Sequence, residues 1–259
     1  METPVPKPRI RVASVYGPSP WNTEWLALQD AFMRRCSDGV DFEFDVYLNG
    51  TDIDTRDTMA RVIGRSTVNV GHALALQRIL DHYRTTERGA DGYLLLDSDC
   101  FPIHPGWWQV LTGLMAQHGK RYAAPVRFEN LEPYPHPCAL YVDAIALDDP
   151  LLRFEGESIA DNPLGHPVRD VGAGLLPLQG GLLPLVRTNV HNPHPIAAAV
   201  YNHLFYHHGA GSRRFGFRAI NRYGYYDHWR PEASQAEADS LTHLLFADPE
   251  RFIRSLVKP

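Results

Sequence analysis

The chain has 259 residues, of which 44% are hydrophobic and 21% are charged, and its formal net charge is -5 at pH 7. This composition is that of a globular protein, and the negative net charge argues against a general affinity for nucleic acid or anionic membranes. The three cysteines have no CxxC spacing, which argues against a disulfide framework or a zinc ribbon. We see no apolar h-region near the N-terminus and no long apolar run, so we expect a cytoplasmic protein without a transmembrane segment.

Strand and helix patterns alternate through the first half of the chain. Apolar strands followed by turn residues are predicted at residues 9–17, 41–50, 92–97 and 121–128, and helical spacing is found at 22–36, 70–83 and 105–119. A loop rich in Thr and Asp follows the second strand. This order predicts an α/β fold with a Rossmann-like, mostly parallel sheet flanked by helices.

The second half of the chain is less regular. A strand is predicted at residues 137–147, a loop-rich segment at 150–200, and two helices at 233–246 and 248–257. Because no linker is visible, we expect one domain over residues 1–259.

The stretch "YLLLDSDCFP" joins a buried strand to two carboxylates, Asp97 and Asp99. In open α/β sheets, ligands bind at the carboxyl ends of the strands, and residues i and i+2 of an extended chain point the same way. Two converging carboxylates repel each other unless a cation lies between them, and Mg²⁺ or Mn²⁺ prefers such oxygen ligands. The alternative is that Asp97 caps a turn and Asp99 is solvated, but the position after a buried strand favours a metal site.

The segments "NVGHALALQRIL" and "GADGYLLLDSDCFPIHPGW" resemble the donor half of a GT-A glycosyltransferase, most closely the inverting family-2 type. The resemblance covers about residues 9–128, so it implies a donor half there and an acceptor half over 129–259 with the C-terminal helices. It implies that Asp99 binds a Mn²⁺ or Mg²⁺ ion that bridges a nucleoside diphosphate. It also implies that Asp97 contacts the ribose or belongs to the metal site.

The same resemblance implies a set of nucleotide-sugar contacts. Asn69 has a second interpretation, since it could simply cap the helix that follows it. Polar residues from Asn49 to Asp52 would lie near the base. The implied contacts with the nucleotide sugar are Tyr16, Gly17, Asn69, Gly71 and Ser98.

The stretch "YHHGAGSRRFGF" places two histidines before a glycine-rich turn and two arginines. A late histidine is a third metal ligand in many GT-A enzymes, so the resemblance implies that role for His207 or His208. The adjacent Gly209 favours His208. Arg213, or Arg214, would neutralise the diphosphate leaving group. The alternative is a surface turn.

An inverting transferase needs a carboxylate that takes the proton of the acceptor hydroxyl. Asp170, in "RDVGAGLL", is the candidate for this catalytic base. Asp161 is its rival, Glu155 and Glu157 are more distant candidates, and a retaining enzyme would need no such base. Asp170 could equally pair with Arg169 or stabilise a turn.

Aromatic residues are candidates for the acceptor site. Trp107 or Trp108 could stack on a sugar ring, although most helical tryptophans belong to the core. The aromatic stretch with Tyr225, Tyr226 and Trp229 could also line the acceptor cleft or could be packing.

These features predict a metal-dependent glycosyltransferase that moves a sugar from a nucleoside-diphosphate sugar to a hydroxyl. The acceptor would be a glycan, a lipid-linked compound or a small molecule, and we expect no nucleic-acid partner. The alternatives are a sugar nucleotidyltransferase and a non-catalytic module that binds nucleotide sugars. The sequence does not decide the donor sugar, the base, the acceptor or the stereochemistry.

Overall fold

The computed structural model describes residues 6–130, 132–154, 158–161, 167–194, 196–209 and 231–257. The helices are α1 (Asn22–Cys36), α2 (His72–Thr85), α3 (Trp107–Gln117), α4 (Pro231–Ala247) and α5 (Pro249–Val257). The strands are β1 (Arg9–Tyr16), β2 (Asp41–Asn49), β3 (Arg61–Ser66), β4 (Gly92–Asp97), β5 (Cys100–Pro102), β6 (Tyr122–Arg127), β7 (Glu132–Pro135), β8 (Ala139–Asp143), β9 (Ser158–Asp161), β10 (Pro167–Asp170), β11 (Leu182–Leu185), β12 (Ala199–Tyr201) and β13 (Phe205–His207).

The main sheet has the strand order β11-β6-β8-β4-β1-β2-β3, with β7 paired to the edge of β6. Strands β3, β2, β1 and β4 run parallel, β8 runs antiparallel between β4 and β6, and β11 is parallel to β6. The predicted α/β class with a mostly parallel sheet is therefore confirmed. The carboxyl ends of β1, β2, β4 and β6 all meet at one edge of this sheet.

Strand β4 has apolar residues on both faces because helices cover both sides of the sheet. Leu94 and Leu96 belong to a hydrophobic cluster that includes residues of α1, α3, α4 and α5. Tyr93 and Leu95 point to the opposite face, into a second cluster formed mainly with α2. The sheet is thus the middle of three layers, and β4 lies near its centre.

The structure differs from the predicted elements in several places, and it adds the unpredicted short strands β5, β7 and β13. Strand β3 lies in the segment predicted as a loop; it is an edge strand, half exposed, so it lacks an apolar pattern. The strand predicted at 137–147 is shorter and runs antiparallel as β8. The loop-rich segment contains the short strands β9 to β12.

Two small antiparallel sheets complete the fold. Strands β9 and β10 form a hairpin, and β12, β13 and β5 form a three-stranded sheet. Because β5 follows Asp97–Asp99 directly, its pairing with β13 brings a late segment of the chain to the end of β4. Among the helices described, none combines the length and the apolar composition needed to cross a membrane.

Candidate active site

A cleft of about 270 Å³ opens at the carboxyl edge of the main sheet. Its floor is the turn Asp97–Asp99 at the end of β4. One wall follows β1 and β2, and the other wall follows β6 and β10. This is the position at which open α/β sheets bind ligands.

Three side chains converge at the floor of the cleft. The His207 Nε2 atom lies 3.4 Å from Asp97 Oδ2 and 3.5 Å from Asp99 Oδ1. One potential ligand atom from each of these residues lies within 4.8 Å of the other two. Asp99 and His207 are buried, and the Asp97 side chain is 18% exposed. Two carboxylates and one imidazole around one point are a suitable set of ligands for a divalent cation.

Backbone pairing fixes this triad, which we call the DDH cluster (Asp97, Asp99 and His207). In the antiparallel ladder of β13 and β5, His207 stands opposite Cys100. The ladder continues beyond the strands, since the His208 amide donates to the Asp99 carbonyl at 3.0 Å. The Gly209 amide donates to Asp99 Oδ2 at 3.1 Å, and Gly209 has a φ of +83°. This positive φ favours glycine and brings the Gly209 amide to the carboxylate.

The structure places His207 beside the two carboxylates, whereas the sequence analysis favoured His208 as the ligand. The His208 side chain is fully buried and turned away from the cleft. Its Nδ1 lies 2.7 Å from the Tyr206 hydroxyl, and its Nε2 lies 2.8 Å from Thr242 Oγ1 in α4. Successive residues of a strand point to opposite sides, so only one histidine of the pair reaches the carboxylates. His208 instead holds α4 against the back of the site.

Asp97 and His207 shift each other's pKa. Burial acts to raise the pKa of Asp97, but the imidazoles of His72 and His207 outweigh it and hold the pKa well below its usual value. Burial acts to lower the pKa of His207, while the Cys138 thiol and the two carboxylates raise it above its usual value. The His72 Nε2 atom, in the first turn of α2, lies 3.3 Å from Asp97 Oδ1.

A second observation also indicates that the DDH cluster suits a divalent cation. Asp97 Oδ1 is buried and accepts no hydrogen bond from any residue in the described part of the chain. A buried carboxylate oxygen without a hydrogen-bond donor is rare unless an ion or a water completes its shell. The residues present therefore suit Mg²⁺ or Mn²⁺.

The turn that carries the two aspartates is held from below by Gln29 of α1. This side chain is fully buried. Its Nε2 carries two N–H donors and lies 2.8 Å from the Asp97 carbonyl oxygen, 2.6 Å from the Cys100 carbonyl oxygen and 3.0 Å from Ser14 Oγ. Its Oε1 accepts from the Tyr16 hydroxyl at 2.6 Å. Gln29 thus fixes both ends of the Asp97–Cys100 turn.

Several residues predicted to contact the nucleotide sugar line the cleft. Gly17, Asn69 and Ser98 lie on its wall and floor. Asn69 Oδ1 accepts from Asn49 Nδ2 at 2.9 Å and from the Gly71 amide at 2.9 Å, so it orders the loop before α2. Gly71 is the N-cap of α2 with a φ of +89°, which favours glycine there.

Two predicted contacts are core residues. Tyr16 is fully buried, and its hydroxyl is used by Gln29, so its ring presents no face to the cleft. Trp107, predicted to bind the acceptor, is also fully buried, with its ring centroid 5.4 Å from that of Phe205. Both residues lie near the site, but their rings pack in the core and are not exposed to a ligand. Arg213, with Arg214, Tyr225, Tyr226 and Trp229, lies outside the described residues.

The second wall contains a buried polar cluster around Asp170. Asp170 Oδ1 accepts from the Gly172 amide at 2.7 Å and lies 3.8 Å from His136 Nε2. Asp170 Oδ2 lies 3.8 Å from a terminal nitrogen of Arg127, which also pairs with Glu132. The structure thus brings Asp170 into the same cleft as the DDH cluster, whereas its rival Asp161 is exposed. Glu155 and Glu157 lie outside the described residues.

Arg127 places a permanent positive charge between two carboxylates. Burial acts to lower its pKa, but Glu132 and Asp170 raise the pKa above its usual value. Gly172 allows this arrangement, because a Cβ atom there would lie 2.3 Å from the Pro135 carbonyl oxygen. Glycine is therefore required for the close approach of the Asp170 loop to β7.

No family model and no curated protein matches the chain. It is similar to the solved mannosyltransferase PcManGT from Pyrobaculum calidifontis in complex with GDP-Man and Mn²⁺, at 13% identity over 57% of this chain and 48% of that chain, with a TM-score of 0.43. It is also similar to TarS from S. aureus, at 14% identity over 57% of this chain and 50% of that chain, with a TM-score of 0.39. For glucosyl-3-phosphoglycerate synthase from Mycobacterium tuberculosis, the identity is 17%, the coverage 70% and 69%, and the TM-score 0.42. The chain spans about half the length of the first two structures.

The sequence analysis missed three polar residues that line the cleft and one, Glu132, that pairs with Arg127 beside it. They come from the start of α2, the end of β6 and the β7 segment, so they are far apart in the chain. His72 had one signal, since it directly follows the Asn69–Gly71 stretch at the start of a helix. The other three residues had no sequence signal that distinguished them from the rest of the 13 histidines and 55 charged residues. The four residues are His72, Arg127, Glu132 and His136.

Proposed function

We propose that the protein is a metal-dependent glycosyltransferase of GT-A type that moves a sugar from a nucleoside-diphosphate sugar to an acceptor hydroxyl. The observation that carries this proposal is the DDH cluster in a cleft that also contains Asp170. The cleft has a volume of about 270 Å³, and most of the residues that line it have polar side chains or are glycines. A cytoplasmic location and a single domain over residues 1–259 stay predictions from the sequence.

Asp97, Asp99 and His207 would hold a Mn²⁺ or Mg²⁺ ion, which when bound supplies positive charge that stabilises the diphosphate leaving group. His72 lies beside Asp97, with its Nε2 3.3 Å from Oδ1. Gln29 holds the turn so that both carboxylates face one point. Gly17 and Asn69 would contact the nucleotide part of the donor.

Asp170 is our candidate for the general base of an inverting displacement. It would accept the proton of the acceptor hydroxyl as that oxygen attacks the anomeric carbon. Its position in the cleft wall is also the observation that favours an enzyme over a binding module, because a module needs no carboxylate there. Arg127 balances the negative charge of Asp170 and Glu132 without entering the reaction.

Metal and nucleotide binding test the proposal. Electron paramagnetic resonance should show that wild-type protein binds Mn²⁺. Titration calorimetry should show that it binds UDP or GDP more tightly with Mn²⁺ than without it. Asp99→Asn keeps the shape and an acceptor for the Gly209 amide but removes a charge, so Mn²⁺ affinity should fall at least about tenfold. Asp41→Asn, at an exposed position, is the matched control.

His207→Asn should weaken Mn²⁺ binding in the same way, with His118→Asn on the exposed end of α3 as its control. If wild-type protein bound neither nucleotide under either condition, the proposed function would be wrong. Tight nucleotide binding without slow hydrolysis of any nucleotide sugar would instead indicate a binding module.

A further inference from the structure

A second group of potential metal ligands lies at the wall of the same cleft, and two of its members, His136 and Asp170, line the cleft. One ligand atom each from Glu132, His136 and Asp170 lies within 4.8 Å of the other two. Judged by residue types alone, this group resembles a second cation site. The hydrogen bond to the other nitrogen of His136 excludes that interpretation.

His136 Nδ1 accepts a hydrogen bond from the Cys138 amide at 3.1 Å. A nitrogen that accepts this bond carries no proton, so the proton of the neutral imidazole is on Nε2. Because a metal ligand needs a free lone pair, protonated Nε2 is a hydrogen-bond donor to the cleft and does not bind a cation.

An acceptor, Asp170 Oδ1, lies near the Nε2–H donor of His136, so one ligand atom can contact both groups. Nε2 lies 3.8 Å from Asp170 Oδ1, which is too far for a hydrogen bond between them. One oxygen atom at ordinary hydrogen-bond distance from both, about 2.9 Å from nitrogen and about 2.7 Å from oxygen, would see the two groups at roughly a right angle. A hydroxyl fits this gap, since it accepts from one group and donates to the other.

We propose that His136 and Asp170 hold the acceptor hydroxyl between them, with His136 Nε2–H donating to its oxygen and Asp170 accepting its proton. This inference rests on the proposed function and adds an acceptor-binding role for His136. The class of ligand is a neutral alcohol, and a second cation bound to His136 Nε2 is excluded. Arg127 and the Gly172 amide keep Asp170 in place for this contact.

The step balances with these groups alone. A lone pair of the hydroxyl oxygen forms the new bond to the anomeric carbon, and the hydroxyl proton passes to Asp170. The bond between the anomeric carbon and the diphosphate oxygen breaks, and its electron pair leaves with the nucleoside diphosphate. The second lone pair of the hydroxyl oxygen remains in the hydrogen bond from His136.

A matched pair of variants separates the two nitrogens of His136. His136→Asn keeps an acceptor near the Nδ1 position for the Cys138 amide but loses the donor. His136→Gln keeps a donor near the Nε2 position and loses that acceptor. Water serves as the probe hydroxyl, and the rate of Mn²⁺-dependent hydrolysis of UDP-glucose or GDP-mannose is measured, whichever nucleotide sugar gives the larger thermal shift with wild-type protein.

We expect His136→Asn to lower kcat for hydrolysis about tenfold, the effect of one lost hydrogen bond of ordinary strength. The KM for the nucleotide sugar and the Kd for UDP with Mn²⁺ should stay at the wild-type values. His136→Gln should retain most of the rate. The reverse pattern, with His136→Gln impaired and His136→Asn active, would show a purely structural role and overturn the proposal.

Two measurements test the inference without turnover. Nitrogen-15 NMR of histidine-labelled protein with Mg²⁺, assigned with the His136→Asn variant, should show His136 protonated on Nε2. A proton on Nδ1 would overturn the proposal. A Mn²⁺ titration should give one ion per chain in wild type and in His136→Asn, and a second ion lost in the variant would also overturn it.

Failure of the proposed function has a different signature. In that case wild-type protein binds no nucleotide with Mn²⁺ and hydrolyses no nucleotide sugar. Normal wild-type binding and hydrolysis, with His136→Asn equal to wild type, would refute only the role of His136.

Discussion

Replacing Gln29 by methionine is the most direct test of how the Asp97–Cys100 turn is held. The methionine side chain has a similar length and is apolar, so it fills the same buried space. It makes none of the polar contacts of Gln29 with Ser14, Tyr16 and the two turn carbonyls. The substitution therefore changes polar contacts and leaves the packing volume nearly constant.

The expected size of the effect follows from the three hydrogen bonds that the Gln29 amide makes here, two donated by its Nε2 and one accepted by its Oε1 from Tyr16. Each hydrogen bond contributes about 1 kcal/mol net, and a buried polar group left without a partner costs about 1–3 kcal/mol. The better burial of methionine offsets part of this loss. We expect the free energy of unfolding to fall by about 3–5 kcal/mol, which is a large share of the typical total of about 5–15 kcal/mol.

Urea unfolding followed by circular dichroism measures this loss. Gln117→Met, at an exposed position of α3, is the control and should change the free energy of unfolding by less than about 0.5 kcal/mol. Gln29→Met should also weaken Mn²⁺ binding, because the turn that carries Asp97 and Asp99 loses its support. A loss below about 1 kcal/mol would show that the buried groups find other partners, and the reasoning would then be wrong.

Two further predictions concern the Asp170 loop and pH. Gly172→Ala should displace the loop and reduce hydrolysis of a nucleotide sugar more than Mn²⁺ affinity, because its Cβ would meet the Pro135 carbonyl oxygen at 2.3 Å. Gly180→Ala, with open space around its Cβ, is the control, and equal activity of both variants would refute the steric argument. Burial, with nearby Arg187, lowers the pKa of His194 to about 4. This folded-state pKa lies below the unfolded value of about 6.5, so His194 destabilises the fold as pH falls from about 6.5 towards 4, by roughly 2 kcal/mol at pH 4.5. His194→Asn keeps an acceptor for the Ile196 and Ala197 amides, which donate to His194 Nδ1 in the wild type. The free energy of unfolding of the wild type, measured in urea, should therefore fall relative to that of the variant by about 2 kcal/mol between pH 7 and pH 4.5. A constant difference would contradict this pKa.

Much of the fold was predictable because it depends on local patterns. Strand β4 reads as apolar on both faces, and the structure covers both faces with helices. The alternation of strands and helices up to residue 128 predicted the parallel part of the sheet, since helical crossovers join parallel strands. Strand β3 was missed because an edge strand with Arg61 paired to Asp45 carries no apolar alternation.

The sequence by itself determined that two carboxylates end a buried strand, since Asp97 and Asp99 follow the apolar run of β4 directly. Only the tertiary structure decided between His207 and His208, because the register of β13 against β5 sets which histidine faces the carboxylates. Packing likewise decided that the rings of Tyr16 and Trp107 lie in the core. Residues distant in the chain, such as His136 and Asp170, become neighbours through sheet pairing and loop packing, and no spacing in a single sequence records those contacts.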